Sequence, residues 1–300
     1  MKQMTIPVKE NVKIDIKASD DLAIHGTQDK YLTAIVQSGD CLKISEENER
    51  LIIRATDDCR LVVPETSVII VEKVGGDLFV TGLANRMIIG KVGGDLALEK
   101  VNSASIETVG GDLGFKEIEG TLEIARVGGD LDGEKVGGLT SRAIGGDANV
   151  LEFTGEMDLA AGGDASLSSS VVDLPQMNIR AGGDIKLIVS PEAKAQLEIR
   201  SGGEEISIHA CGQEVNWETG EVSLPLCDGG ALIKLEAGDE VVVTDHDSVS
   251  RDFEKIFDRT KEEWEDFAID LKKTIQEGLV SASDSIDQIV KQAAKAGKKA

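Results

Sequence analysis

The sequence predicts an all-β fold: a single-chain β-solenoid (a parallel β-helix) with 17–20-residue coils, followed by a C-terminal amphipathic α-helix. Three observations predict it. The tripeptide Gly-Gly-Asp begins at Gly75, Gly93, Gly110, Gly128, Gly145, Gly162 and Gly182, and a Gly-Gly-Glu copy begins at Gly202, in steps of 18, 17, 18, 17, 17, 20 and 20 residues. Between these tripeptides apolar residues fall in period-two pairs, such as Leu78 with Val80 and Met87 with Ile89, the spacing of short strands with one buried face. From Ser250 onward the apolar period becomes three and four, which is helical.

Residues 1–74 read as irregular N-terminal coils. Asp21, Asp40, Asp58, Asp77 and Asp95 stand 19, 18, 19 and 18 residues apart, each just before an aliphatic segment, so the period reaches upstream of the first Gly-Gly-Asp. Residues 75–203 are the regular Gly-Gly-Asp solenoid. A lone coil has one apolar face and unpaired backbone edges, so it is stable only when the next coil is laid on it, at roughly 4.8 Å per layer. The glycine pair suits either a positive φ or an approach of coils too close for a Cβ, and the Asp can accept backbone N–H bonds at the turn. Residues 204–247 continue as C-terminal β coils, and 248–300 form the amphipathic helical segment. Unpaired strand edges at the coil ends would permit end-to-end assembly.

The charge balance is 32 basic against 55 acidic residues, a net −23, which argues against a nucleic-acid partner because phosphates would be repelled. Segment 248–300 holds 11 acidic and 10 basic residues, so the β region carries the excess, 44 acidic against 22 basic. No run of about 18 apolar residues is present and the first residues alternate apolar with charged, so a cytoplasmic location is expected. Cys41, Cys59, Cys211 and Cys227 form no CxxC pair and are expected to be reduced thiols. Cys41 and Cys59 follow the periodic Asp one coil apart, which predicts Cα atoms about 5 Å apart.

The most provocative candidate site is the acidic column Asp77, Asp95, Asp112, Asp130, Asp147, Asp164 and Asp184, which Glu204 would extend. Turn capping is its first reading, and a row of oxygen ligands for a cation is the second. No catalytic constellation stands out, since His25, His209 and His246 have no nucleophile at recognisable spacing, and no cofactor is implied. The stripe Phe253, Phe257, Trp264, Phe267, Leu271 and Ile275 is the candidate interaction surface. It suits covering the solenoid, oligomerisation or a protein partner, with a membrane surface less favoured because its first half is acidic.

The strands ending at Leu61–Pro64, the run VEKVGGDLFVTGL, the repeated V-G-G-D-L units and the opening KIDIKASDDLAIHG resemble the bacterial putative-adhesin β-strand repeat family over residues 5–244. That family usually has Ser-Gly-Asp where this chain has Gly-Gly-Asp. The resemblance implies a β-solenoid associated with the cell envelope or envelope stress, and no activity. The sequence therefore points to a non-enzymatic structural or interaction protein that associates through its C-terminal helix or its solenoid ends. The alternative is a carbohydrate-binding or carbohydrate-active β-helix or adhesin.

Overall fold

A computed structural model of the chain describes residues 2–36, 39–203, 205–218 and 220–245. The described part is all-β, with a single 3-10 turn at Gly39–Cys41 as its one helical element. The predicted helix with Phe253, Phe257, Trp264, Phe267, Leu271 and Ile275 lies outside the described residues, as do Glu204 and His246.

Parallel pairing one repeat apart organises the strands. Leu78 lies opposite Leu96, Leu96 opposite Leu113, Leu113 opposite Leu131, Leu131 opposite Ala148, Ala148 opposite Ala165, and Ala165 opposite Ile185. A second ladder runs beside it, from Met87 through Ala104, Leu122, Leu139 and Met157 to Met177. Because the side-chain period in a strand is two, this register sends one set of residues inward on every tier. Both columns are buried throughout. Each such Leu or Ile contributes about 1.5–3 kcal/mol by leaving water. Sizes compensate between tiers: Phe115 lies opposite Gly133, and a Cβ on Gly133 would overlap the Phe115 ring.

The order of tiers departs from the order of the chain at both ends. Strand Lys13–Ala18 sits between Arg50–Ala55 and Val68–Val74, and Leu22–Thr27 sits between Cys59–Pro64 and Leu78–Val92. At the far end Ala231–Ala237 is inserted between Met177–Ala181 and Ala195–Ser201, and Glu240–Asp245 between Ile185–Val189 and Glu205–Ala210. The expected open ends are instead covered by antiparallel strands. Leu42–Glu47 pairs with Arg50–Ala55, and Tyr31–Val36 with Cys59–Pro64. At the other end Glu221–Leu226 pairs with Ala195–Ser201, and Gln213–Glu218 with Glu205–Ala210. Leu42–Glu47 and Gln213–Glu218 reach their places by tight hairpins, which let a strand cover its neighbour's edge without a crossover. Lys2–Pro7 in turn pairs antiparallel with Tyr31–Val36, and Pro7 and Pro225 and the charges Lys43, Glu46, Glu214 and Glu218 stand on the outer strands, where they discourage further pairing.

Candidate functional site

The acidic column is a hydrogen-bonded file. Asp77 Oδ1 accepts the Asp95 backbone N–H at 2.8 Å, and the same 2.8 Å bond links Asp95 to Asp112, Asp112 to Asp130, Asp130 to Asp147, Asp147 to Asp164 and Asp164 to Asp184. The file begins upstream, with Asp21 Oδ1 accepting from Asp77, and ends with Asp184 Oδ1 accepting from Glu240, each at 2.9 Å. The Glu240 N–H thus donates to Asp184 at the place in the file expected for Glu204, because Gly238-Asp239-Glu240 is a degenerate copy on the inserted tier.

The glycines explain why the file can form. None of the repeated Gly-Gly pairs has a positive φ, so close approach is the reason for them. A Cβ on Gly93 would overlap the carbonyl oxygen of Gly75, and one on Gly94 would overlap Asp77 Oδ1, both inside the 3.0 Å that real Cβ atoms respect. The first glycine admits the backbone of the preceding tier and the second admits its carboxylate.

A second corner lies five residues after each of Asp77, Asp95, Asp112, Asp130 and Asp147. Gly82, Lys100, Glu117, Lys135 and Glu152 have φ of 73°, 53°, 56°, 61° and 56°, the left-handed region that disfavours side chains. They line one shallow groove of about 610 Å³. Charges alternate along it from Lys100 through Glu117 and Lys135 to Glu152. One residue earlier on each strand Glu99 lies opposite Lys116 and Lys116 opposite Glu134, with Lys116 Nζ 3.3 Å from Glu134 and Lys135 Nζ 3.4 Å from it. Burial raises the Glu134 pKa, but Lys116 and Lys135 outweigh it and hold the carboxyl below its ordinary value. Sequence reasoning missed this corner. The signal was Gly82, the one copy with glycine at the left-handed position.

Three described carboxylates come close enough to share a cation: Asp20, Asp21 and Asp58, with oxygens within 4.8 Å of one another and all three residues exposed. Asp58 is raised in pKa by burial and by the charges of Asp20 and Asp21. None of these three belongs to the predicted column, and Asp77, Asp95, Asp112, Asp130, Asp147, Asp164 and Asp184 belong to no such group among the described residues.

The expectation of four reduced thiols is corrected at Cys211 and Cys227, and the expected Cys41–Cys59 alignment is corrected as well. Cys211 and Cys227 are joined in a disulfide with Cα atoms 5.6 Å apart, while Cys41 and Cys59 are free. Cys211 is in a hairpin turn and Cys227 follows strand Glu221–Leu226, so the bridge ties together the antiparallel strands at that end. The Cys41 carbonyl accepts the Thr56 N–H, which places Cys41 beside Thr56 and out of line with Cys59.

No family model matches the chain, and no curated protein matches it. Solved structures are similar at low identity, each over 81% of this chain. A putative adhesin from Bacteroides fragilis is 11% identical over 96% of its length, with a TM-score of 0.36. A putative adhesin from Parabacteroides merdae is 7% identical over 95%, with a TM-score of 0.39. A putative lipid binding protein from Parabacteroides distasonis is 12% identical over 96%, with a TM-score of 0.31. Proteins named as adhesins, the class the sequence resembles, are thus among the neighbours, and likeness of this degree carries no functional argument.

Proposed function

We propose that the chain is a non-enzymatic interaction scaffold, in which the stacked repeats form a β-solenoid and the C-terminal segment carries a protein-docking or self-association stripe. One observation supports it most: from Asp21 to Asp184 each periodic carboxylate of the file holds the backbone of the next tier. The repeated chemistry is thereby accounted for as assembly of the stack. The testing experiment is light scattering of the full chain beside a variant carrying Phe257→Asp and Phe267→Asp. A loss of mass in the variant supports association through the stripe. A monomer in both cases removes that part, and turnover in a polysaccharide-hydrolysis screen removes the non-enzymatic reading. A cytoplasmic location belongs with reduced thiols, whereas a Cys211–Cys227 bridge belongs with an oxidising compartment. Mass spectrometry of protein alkylated directly in cells separates the two.

A further inference from the structure

A chain of net −23 carries one column of five consecutive cations. Lys43 lies directly opposite Arg54, Arg54 opposite Lys17, Lys17 opposite Lys73, and Lys73 opposite Lys91, on five adjacent strands. Five strands at roughly 4.8 Å spacing make a stripe about 19 Å long. Lys43, Arg54, Lys73 and Lys91 are exposed and Lys17 is half-buried. Glu72 pairs with Lys17 at 3.2 Å and Glu107 stands 3.9 Å from Lys91, while Lys43, Arg54 and Lys73 make no ion pair among the described residues.

Like charges directly opposite one another destabilise a sheet. At the far end this chain shows the alternative: Arg180, Glu236, Arg200 and Glu221 alternate in sign on four adjacent strands, with Arg180–Glu236 at 3.0 Å and Arg200–Glu221 at 3.2 Å, although a shorter acidic file, Glu240, Glu205 and Glu218, stands at the same end. The N-terminal column therefore incurs a cost that its own fold shows how to escape. Beside it, Ile52, Ile70 and the 49% exposed Ile88 present an apolar strip on the same outer face, interrupted by Asp15.

We infer that this face binds a linear acidic polysaccharide with one carboxylate per sugar, laid along the cation column with sugar C–H faces on the isoleucines. An extended polyuronate carries a carboxylate on every sugar, so those on the side facing the column can meet its cations along the length of the stripe. A narrow chain can follow one column, whereas an anionic bilayer would also meet the acidic surface that dominates this molecule. The inference rests on the reading of the chain as a non-enzymatic interaction scaffold and names its partner.

The test is titration of the full chain with polygalacturonate in about 50 mM salt, where counterion release makes such binding strong. Wild type is expected to bind with an affinity that falls steeply as salt rises. The triple variant Lys17→Gln, Arg54→Gln, Lys73→Gln is expected to lose roughly tenfold or more, against less than twofold for the charge-matched control Arg126→Gln, Arg142→Gln, Lys234→Gln. Relief of like-charge repulsion should leave the first variant's Tm unchanged or raised, which separates loss of binding from loss of fold. Absence of binding, equal losses in both variants, or equal binding to dextran, single-stranded DNA or anionic vesicles would overturn the inference. Non-binding by a folded wild type removes this partner alone, while cleavage of the polymer removes the scaffold reading itself.

Discussion

The interlock between the second glycine of one repeat and the carboxylate of the preceding one can be measured as a coupling energy. The pair is Gly111 with Asp95, where a Cβ on residue 111 would fall on Asp95 Oδ1 and 3.2 Å from the Gly94 carbonyl carbon. Asp95→Ala removes the acceptor of the Asp112 N–H, a 2.8 Å bond at an exposed corner. Its loss is expected to cost about 1 kcal/mol, slightly offset by relief of screened repulsion from Asp77 and Asp112. Gly111→Ala should cost more, about 2–3 kcal/mol, because the methyl both expels the carboxylate and presses on the backbone of the preceding tier. If the two groups compete for one space, the double variant should cost little more than Gly111→Ala alone, a departure from additivity of about 1 kcal/mol.

Urea unfolding followed by far-UV circular dichroism reads all four proteins, with the slope checked to be constant across them. Additivity within about 0.5 kcal/mol would refute the interlock, since contacting residues should couple by more than that. Asp95→Asn supplies the second arm. Its amide oxygen can accept the same N–H without charge, so it should fall within about 0.5 kcal/mol of wild type. Millimolar calcium should shift neither protein. A calcium-dependent stabilisation lost in Asp95→Asn would reinstate the column as a cation site.

Ser141 occupies a buried position between Ile124 and Leu159, and its Oγ has no hydrogen-bond partner; Ser141→Ala should stabilise by about 1 kcal/mol in the same urea assay. His25 is lowered below its ordinary 6.5 by burial, with the Glu99 charge opposing, so the unfolded chain binds more protons than the folded one. Stability should therefore be full above the ordinary histidine range and fall on acidification through it, and His25→Gln should flatten that slope between about pH 7 and pH 5. Burial pushes the Cys59 thiol up to about 12; in the folded protein it should resist iodoacetamide while the half-buried Cys41 is alkylated, and labelling of both at one rate would contradict the placement.

What was legible in the sequence was whatever the chain repeats with its own letters. Gly-Gly-Asp and the period-two aliphatic pairs specify a tier, its inward residues and its corner, because each rests on contacts made to an equivalent residue one repeat away. The end tiers were harder to place for a physical reason. Ser19-Asp20-Asp21 keeps the carboxylate of the corner but not the glycines, since that tier receives a glycine pair above it and needs none of its own: Gly75 and Gly76 make the room for the Ser19 carbonyl and the Asp21 carboxylate. Nothing local to residues 13–27 tells them to lie between 50–64 and 68–81. That choice is made by long-range strand pairing, and the misplaced Cys41–Cys59 pair follows from assuming chain order.

The interleaving also bears on the cation column. Lys17, Arg54, Lys73 and Lys91 each stand four residues before the Asp of their own repeat, yet in the chain two of them lie 37 residues apart with an antiparallel strand between. Only when Lys13–Ala18 is inserted between Arg50–Ala55 and Val68–Val74 do they become neighbours in one file. The offset that seats the Asp at the corner also fixes where the cation stands on the outer face. An inserted residue between the two positions would therefore break both files at that tier, since a one-residue slip sends every side chain of the strand to the opposite face. The rule that stacks the repeats thus also sets the spacing of the surface they present.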